Sequence, residues 1–303
     1  MKKITKALTL LLSGLLCSAC LLSCAGEDPR RNDRDDDDDE AAVQTTTGEA
    51  VDNVPDGDEV TDKLTQENVL SQVTERMRQL KSYSMGAEMK MNMTMMGMSI
   101  AANMEIDAIM DAEGKRNWTE TTTEMLGENV TAVVYYDEEV YYIESDGQKM
   151  VAEMDEDVLD SMVSEETEVT NLDPSYFESF KLYSADDGYL LVISGLKEGS
   201  SLLGSAMNSA MLEGYEVDLS DIEIEMTISA DYCVTEMTMT MTMSMNMDEA
   251  LEDMGEMQMG DMTATVEMNI TYSDFDSAAG KLVKPDMTGA EEFDLEDLLA
   301  LTA

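Results

Sequence analysis

Apolar and polar residues alternate with a period of two over several long stretches of the chain. In the segment 236–247, EMTMTMTMSMNM, methionine occupies every odd position, and threonine, serine or asparagine fills the positions between. Successive side chains of a β-strand point to opposite faces of a sheet, so this alternation predicts strands with one apolar and one polar face. The same pattern runs through residues 83–95, 100–110 and 262–272. The sequence therefore predicts a large sheet that buries one face and exposes the other.

Other segments carry the spacing of amphipathic helices, and short turns separate the predicted strands. Turn sequences such as Asp146-Gly147 favour hairpins, and hairpins make antiparallel sheets. We therefore expect an α+β fold, with a large curved antiparallel sheet (a half-barrel) and helices that cover its concave face. The segments predicted to supply this cover are 65–80, with Thr65 as its expected N-cap, 155–180 and 198–211.

The N-terminal segment has the pattern of a bacterial lipoprotein signal. Lysines at positions 2, 3 and 6 precede an apolar run that ends near Leu22. The sequence Leu21-Leu22-Ser23-Cys24 resembles a lipobox, and this resemblance implies cleavage before Cys24 and acylation of its sulfur. Acyl chains on Cys24 would hold the protein at the extracytoplasmic face of the bacterial cell membrane.

Changes in composition along the rest of the chain indicate where its segments begin and end. The stretch after Cys24 is poor in apolar residues and contains the acidic run DRDDDDDE, which is typical of a disordered spacer. The predicted organisation is a signal peptide at 1–23, the lipidated cysteine and acidic linker at 24–62, a ligand-binding domain at 63–293, and an acidic tail at 294–303.

Charge and residue content exclude several classes of function. The formal net charge is -48, so the surface repels phosphate backbones and we expect no nucleic-acid partner. The chain has no histidine, which removes the usual nucleophilic triads and zinc enzymes. After processing, Cys233 is the remaining cysteine beside the lipidated one, so no intrachain disulfide is expected. We expect a non-enzymatic monomer and assign no catalytic residue, cofactor or metal ligand.

Three further segments carry a resemblance to a known group of proteins. LKSYSM ends the first predicted helix, SADYCVTEMTMTMTMSM reads as a turn followed by an amphipathic strand, and KLVKPDMTGAEEF closes the domain. Together they resemble LolA-like and LppX/LprG-like bacterial lipoproteins, nearest to Met-rich lipoproteins of Gram-positive bacteria. The resemblance covers about residues 65–293. It implies a half-barrel whose concave side is plugged by helices and whose apolar cavity holds acyl chains.

The chain departs from that group by using methionine as its main apolar residue, 30 in all. Methionine is flexible and adapts to partners of variable shape, so a methionine-lined cavity suits a lipid or another amphiphile. The residues predicted to line such a cavity are Met85, Met89, Met91, Met93, Met95, Met104, Met237, Met239, Met241, Met243, Met245 and Met268.

Two other interpretations of the methionines stay open. In the first, they simply replace leucine, isoleucine and valine in a plain core, and the protein is a structural or interaction lipoprotein of the envelope without a ligand. In the second, thioether sulfurs capture Cu(I), the soft ion for which such ligands are selective.

Overall fold

The computed structural model describes residues 57–95, 98–155, 158–159, 177–197, 217–246 and 261–293. Helix α1 spans Lys63–Arg78, and a short 3-10 helix spans Ala278–Lys281. The strands are β1 (Asp58–Glu59), β2 (Ser82–Met95), β3 (Met98–Asp111), β4 (Arg116–Met125), β5 (Glu128–Tyr136), β6 (Val140–Ser145), β7 (Gln148–Glu153), β8 (Phe177–Ala185), β9 (Gly188–Leu196), β10 (Val217–Ser229), β11 (Val234–Asn246), β12 (Asp261–Ser273) and β13 (Glu291–Glu292).

All the strands of the described part belong to one 13-stranded sheet. Its order is β1-β8-β9-β10-β11-β12-β2-β3-β4-β5-β6-β7-β13. Neighbouring strands are antiparallel except β13, which pairs in parallel with β7. The sheet has two free ends, at β1 and β13, so it is open and curved. The predicted large, curved, antiparallel sheet is confirmed.

The centre of the sheet joins strands that are far apart in sequence. β12 pairs with β2 along almost its whole length, from Met262 opposite Met95 to Ser273 opposite Ser84. This pairing unites the hairpin β2–β3 with the hairpin β10–β11, so the longest methionine-rich strands become neighbours.

The turn between β6 and β7 has the backbone that its sequence predicts. Asp146 and Gly147 both have positive φ, 52° and 73°, and Ser145 pairs directly with Gln148. Two positive φ values match the twist of a tight hairpin, and Asp-Gly tolerates them well.

Helix α1 begins at an aspartate instead of the predicted Thr65. Asp62 is the N-cap, and its carboxylate accepts hydrogen bonds from the Thr65 backbone N–H at 3.0 Å and from the Thr65 hydroxyl at 2.5 Å. Aspartate and threonine both cap helices well, and a cap at Asp62 starts the helix three residues earlier than a cap at Thr65 would. The buried side of α1 consists of Val69, Val73 and Met77, as the helical spacing predicts.

In the described part of the chain, α1 is the predicted helix that forms, and its apolar residues join the cluster on the sheet; helical cover of the concave face stays a prediction. The segment 198–211 lies outside the described residues, as does most of 155–180. The end of the second segment was predicted wrongly, because residues 177–180 belong to β8, where Phe177 lies opposite Leu196 and Phe180 opposite Ile193. The three-residue spacing of these phenylalanines is typical of a helix, but pairing with β9 overrides it.

The sheet also begins before the predicted domain boundary at residue 63. Asp58 and Glu59 pair with Ser184 and Tyr183 of β8, and the Val60 N–H donates to the Leu182 carbonyl at 2.7 Å. This short edge strand lies within the segment 24–62 that was predicted as linker.

Candidate functional site

The apolar face of the central strands gathers the predicted methionines into one cluster. The buried members are Met89, Met91, Met104, Met241 and Met268, each at most 6% exposed, and Met85, Met93, Met237, Met239 and Met243 are partly buried against them. The remaining two predicted residues, Met95 and Met245, lie on β2 and β11, and their side chains are outside the described set. All the predicted methionines with described side chains therefore share one face.

The register places four of these methionines directly opposite one another on adjacent strands. Met239 of β11 pairs with Met268 of β12, Met268 pairs with Met89 of β2, and Met89 pairs with Met104 of β3. We call these four residues the methionine row. Directly opposite residues of antiparallel strands have Cβ atoms about 4.5–5.5 Å apart, so their side chains pack against each other.

The cluster becomes more exposed toward the end of the sheet where β2 and β3 meet, which we call the open end. The methionine row is mostly buried, whereas Met93 and Ile100, opposite each other and four residues further along their strands, are partly buried. Met98, at the start of β3, is 58% exposed. Its register partner Met95 lies opposite Met262, which lies opposite Met245. Methionines therefore also lie side by side where the apolar face meets solvent.

Helix α1 covers part of this face. Its residues Val69, Val73 and Met77, with the following Leu80, belong to the same apolar cluster as the methionine row. The cluster is thus a layer between the sheet and one amphipathic helix, as the helical stripe predicts.

Sequence reasoning missed two buried methionines of this layer. Met226 of β10 lies opposite Met237, and Met125 at the end of β4 lies opposite Ala102. Both are buried in the cluster. Met226 continues the alternation of DIEIEM, a signal that was sufficient to include it, whereas Met125 follows a threonine-rich strand with weak apolar alternation.

A cleft of about 330 Å³ lies at an irregularity in β10. The register between β10 and β11 shifts between Ser220 and Glu223, and Asp221 has a positive φ of 51°. Of the predicted cavity residues, this cleft contains Met241. Six of its eight lining residues are polar in type and two are apolar; the complete lining is Ser194, Asp221, Ile222, Glu223, Thr240, Met241, Thr242 and Thr265.

The single cysteine of the described residues is a buried free thiol. Cys233 is buried at the turn before β11, and burial raises the pKa of its thiol, although the nearby Arg76 guanidinium acts in the opposite direction. A thiol that stays protonated is a poor nucleophile. In the described part of the chain, no group of three or more histidine, cysteine or acidic side chains is arranged to hold a metal ion.

Within the described ranges, no helix combines the length and the apolar character that crossing a bilayer requires.

The fold and its apolar layer define a class of protein: a single open β-sheet with one methionine-rich face and one amphipathic helix packed on it. Residues 65–281, more than half of the chain, match a family described as "Family of unknown function (DUF6612)", and the chain belongs to that family. No curated protein matches the chain.

Several solved structures match the chain at low identity and low TM-score. LprF from Mycobacterium bovis matches with 8% identity and a TM-score of 0.34, over 74% of this chain and 97% of that one. A DUF1329 family protein from Desulfovibrio piger matches with 9% identity and a TM-score of 0.23, over 71% and 93% of the two chains. The ywiB protein from Bacillus subtilis matches with 10% identity and a TM-score of 0.18, over 64% and 92%. These distant likenesses assign neither a ligand nor an activity to this chain.

Proposed function

We propose that this chain is a non-catalytic, membrane-anchored lipoprotein that binds a lipid-like ligand on its methionine-rich face. The observation that carries the proposal is the arrangement of the methionines on one face of an open sheet, with burial that decreases along β2 and β3 toward the open end. A layer that is buried at Met89 and Met104 and more exposed at Met93 and Met98 offers a route for an apolar chain to enter between flexible side chains.

The affinity expected of such a layer needs no specific polar contact. Each methylene transferred from water to an apolar environment contributes about 0.8 kcal/mol, so an acyl chain of about ten carbons provides useful binding. Thioether side chains have several rotatable bonds and can repack around chains of different shape. The proposed ligand is therefore a class of amphiphiles and not one compound.

The net charge of the chain, and the lack of basic residues in the strand segments at the open end, favour a neutral or cationic head group. The strand segments 91–95, 98–101, 240–246 and 262–266 around this end contain neither lysine nor arginine. The whole chain carries a formal net charge of -48. An anionic head group held there would meet repulsion without a basic partner.

The anchor follows from the N-terminal sequence. Leu21-Leu22-Ser23-Cys24 gives the pattern in which Cys24 receives acyl chains, and two chains are enough for stable attachment to a bilayer. Metabolic labelling with a tagged fatty acid tests this part of the proposal. Label is expected on the wild-type protein and not on Cys24→Ser; equal labelling of both would contradict the anchor.

The ligand is tested by mass spectrometry of amphiphiles extracted from the purified full-length protein, together with titration of a fluorescent acyl probe. We expect a co-purifying amphiphile and saturable probe binding. Met93→Gln at the open end should weaken probe binding at least about tenfold, because it places an amide in the apolar layer. The matched control is Thr94→Gln on the opposite face of the same strand, which should bind like the wild type.

A plain methionine-rich core without a ligand is the second candidate function, and one observation favours it. Five of the predicted cavity residues are at most 6% exposed, as core residues are. The same experiment separates the two candidates, since a protein without a ligand yields no extracted amphiphile and no saturable binding by the wild type.

A further inference from the structure

The methionine row brings thioether side chains closer together than the alternation along one strand does. Along one strand, Met237, Met239 and Met241 are each two positions apart, or about 6.6 Å at a rise of about 3.3 Å per residue. Across strands, Met239, Met268 and Met89 are direct neighbours in an unbroken series, with Cβ separations of about 4.5–5.5 Å. Side chains as long and flexible as methionine can bring their terminal sulfurs together from such positions.

We infer that the methionine row is a binding site for Cu(I). Met239, Met268 and Met89 provide three thioether ligands. This site is independent of the proposed lipid ligand, because it needs only the sulfurs of one cross-strand row and neither the open end nor the membrane anchor.

The chemistry of the row selects a soft ion. Thioether sulfur binds Cu(I), whereas Mg²⁺ and Ca²⁺ require oxygen ligands. Zinc sites use thiolate, imidazole or carboxylate, and the row contains none of these. The four residues are neutral, so the site is suited to an ion of single charge that does not depend on anionic ligands.

Burial and charge are both compatible with an ion at this place. Met104, Met268 and Met89 are buried, which keeps water from competing for the ion, while Met239 is partly buried and lies at the accessible end of the row. The formal charge of -48 creates a potential that favours a cation over an anion anywhere on the molecule.

The competing explanation, that these methionines only fill space, makes a different prediction. Leucine has nearly the volume of methionine and serves equally well as packing, but it has no sulfur. A change from methionine to leucine therefore separates the two roles. Met110 offers a matched control: it is 2% exposed, lies on β3 like Met104, and faces Tyr83 and Asn117 instead of other methionines.

The experiment is an anaerobic titration of the full-length protein with Cu(I) against a coloured Cu(I) chelator. The variants are Met268→Leu, Met89→Leu and Met110→Leu, with circular dichroism to verify the fold. Met239→Leu, at the partly buried position, provides a second test if a buried substitution prevents folding. Silver(I), which has the same preference for sulfur and does not change oxidation state, gives the stoichiometry by native mass spectrometry.

We expect the wild type to compete with the chelator. Met268→Leu, Met89→Leu and Met239→Leu should each lose affinity by more than about tenfold, because losing even a group that only orients a metal ligand costs about 10- to 100-fold. Met110→Leu should keep the wild-type affinity. Failure of the wild type to compete, or equal affinity of Met268→Leu, Met239→Leu and Met110→Leu, would overturn the site. Binding of the fluorescent acyl probe is measured in a separate titration. A negative result for Cu(I) therefore leaves the lipid ligand untouched, and a negative result for the probe leaves the Cu(I) site untouched.

Discussion

Arg76 and Asp276, 200 residues apart in the chain, form a charged hydrogen bond of 2.8 Å between Nη2 and Oδ2. The other carboxylate oxygen of Asp276 accepts the Lys81 N–H at 2.8 Å, and the Asp276 N–H donates to the Ser82 carbonyl at 2.7 Å. Asp276, which follows β12, thus connects the end of α1 to the start of β2. This contact holds the helix against the sheet at the end opposite to the open end.

The first prediction concerns the charge of Asp276. Replacing it by asparagine keeps the shape and removes the anion, so we expect the free energy of unfolding to fall by about 1 kcal/mol at neutral pH, a value discounted because both side chains are about a third exposed. Urea unfolding measures this change. Glu225→Gln, on the exposed face of β10, is the control and should differ little from the wild type.

The same substitution has a defined pH dependence. The hydrogen bond from the Lys81 N–H, followed by that from Arg76, lowers the pKa of Asp276 below its ordinary value. A carboxyl group with a lowered folded-state pKa stabilises the fold above its unfolded pKa, near 3.9, and this contribution is lost as pH falls through the folded-state value. The difference between wild type and Asp276→Asn should therefore shrink below about pH 4. A difference that stays constant down to the acid limit would contradict the assignment.

The second prediction concerns Lys284, which fastens the C-terminal segment to the β5–β6 turn. Its Nζ donates to Asp137 Oδ2 at 2.8 Å and to Glu139 Oε2 at 3.3 Å. Burial by itself raises the pKa of Asp137, but hydrogen bonds from Lys284, the Glu139 N–H, the Tyr135 hydroxyl and the Val140 N–H lower it overall.

Lys284→Met keeps the apolar stem and removes the ammonium group, so Asp137 loses one of its donors in a site where its side chain is only 13% exposed. We expect a loss of about 1 kcal/mol in the free energy of unfolding and faster hydrogen exchange in residues 285–293, because β13 is held to β7 next to this contact. Lys63→Met removes an exposed ion pair with Glu67 at 3.9 Å and should change neither quantity. Exchange that is unchanged in Lys284→Met would show that β13 does not depend on this contact.

The third prediction is that two tyrosines resist ionisation. Burial and a hydrogen bond of 2.7 Å to Glu144 raise the pKa of Tyr142 to about 12, and burial with the hydrogen bond to Asp137 raises the pKa of Tyr135 well above its ordinary value. Absorbance titration of the 11 tyrosines should show a late component that Tyr142→Phe reduces and that denaturant abolishes.

The sign of the associated stability effect follows from the raised pKa of Tyr142. Its protonated form is held more strongly in the folded state, so its contribution is complete below pH 10 and is lost as pH rises toward about 12. Tyr142→Phe should unfold with a weaker dependence on pH in this alkaline range. An identical dependence in both proteins would be incompatible with the burial of that phenol.

The fourth prediction concerns the turn between β8 and β9. Gly188 has a φ of 146°, and a Cβ atom there would lie 2.0 Å from the carbonyl oxygen of Ile228 on the neighbouring strand. That oxygen belongs to the backbone of β10 and cannot move without disturbing the sheet. Gly188→Ala should therefore destabilise the fold by more than about 1 kcal/mol in denaturant unfolding. Gly280→Ala, where a Cβ meets nothing within 4 Å, should be close to neutral.

Local pattern predicts which face of a strand is apolar, and it does so here because side-chain alternation is a property of the strand itself. It does not predict the register between distant strands. The methionine row exists because β12 pairs with β2 so that Met268 meets Met89, and no short segment encodes that pairing. The wrong N-cap has another cause: Asp62 and Thr65 both suit the position, and the Asp62 carboxylate caps the helix by accepting the Thr65 N–H.

The two-residue strand β1 could not be predicted from alternation, because a pattern needs more residues than Asp58–Glu59 provides. Likewise, the spacing of Phe177 and Phe180 favours a helix until β9 is present as a partner. The members of the predicted methionine set that have described side chains all belong to one apolar cluster, and their role as cavity lining stays a prediction. Its arrangement in rows, and its decreasing burial toward one end, depend on tertiary pairing and became visible only in the structure.

The last prediction separates packing from chemistry at Met104, the most buried residue of the methionine row, which is 2% exposed. Met104→Ala should lower the free energy of unfolding by about 2–5 kcal/mol, because it removes several buried heavy atoms and leaves a cavity. Met104→Leu nearly conserves volume and should cost less than about 1.5 kcal/mol. Met98→Ala at the exposed start of β3 should stay within about 0.5 kcal/mol of the wild type. Urea unfolding of the three variants measures all of these values. If Met104→Ala were as mild as Met98→Ala, the methionine row would not be part of a packed layer.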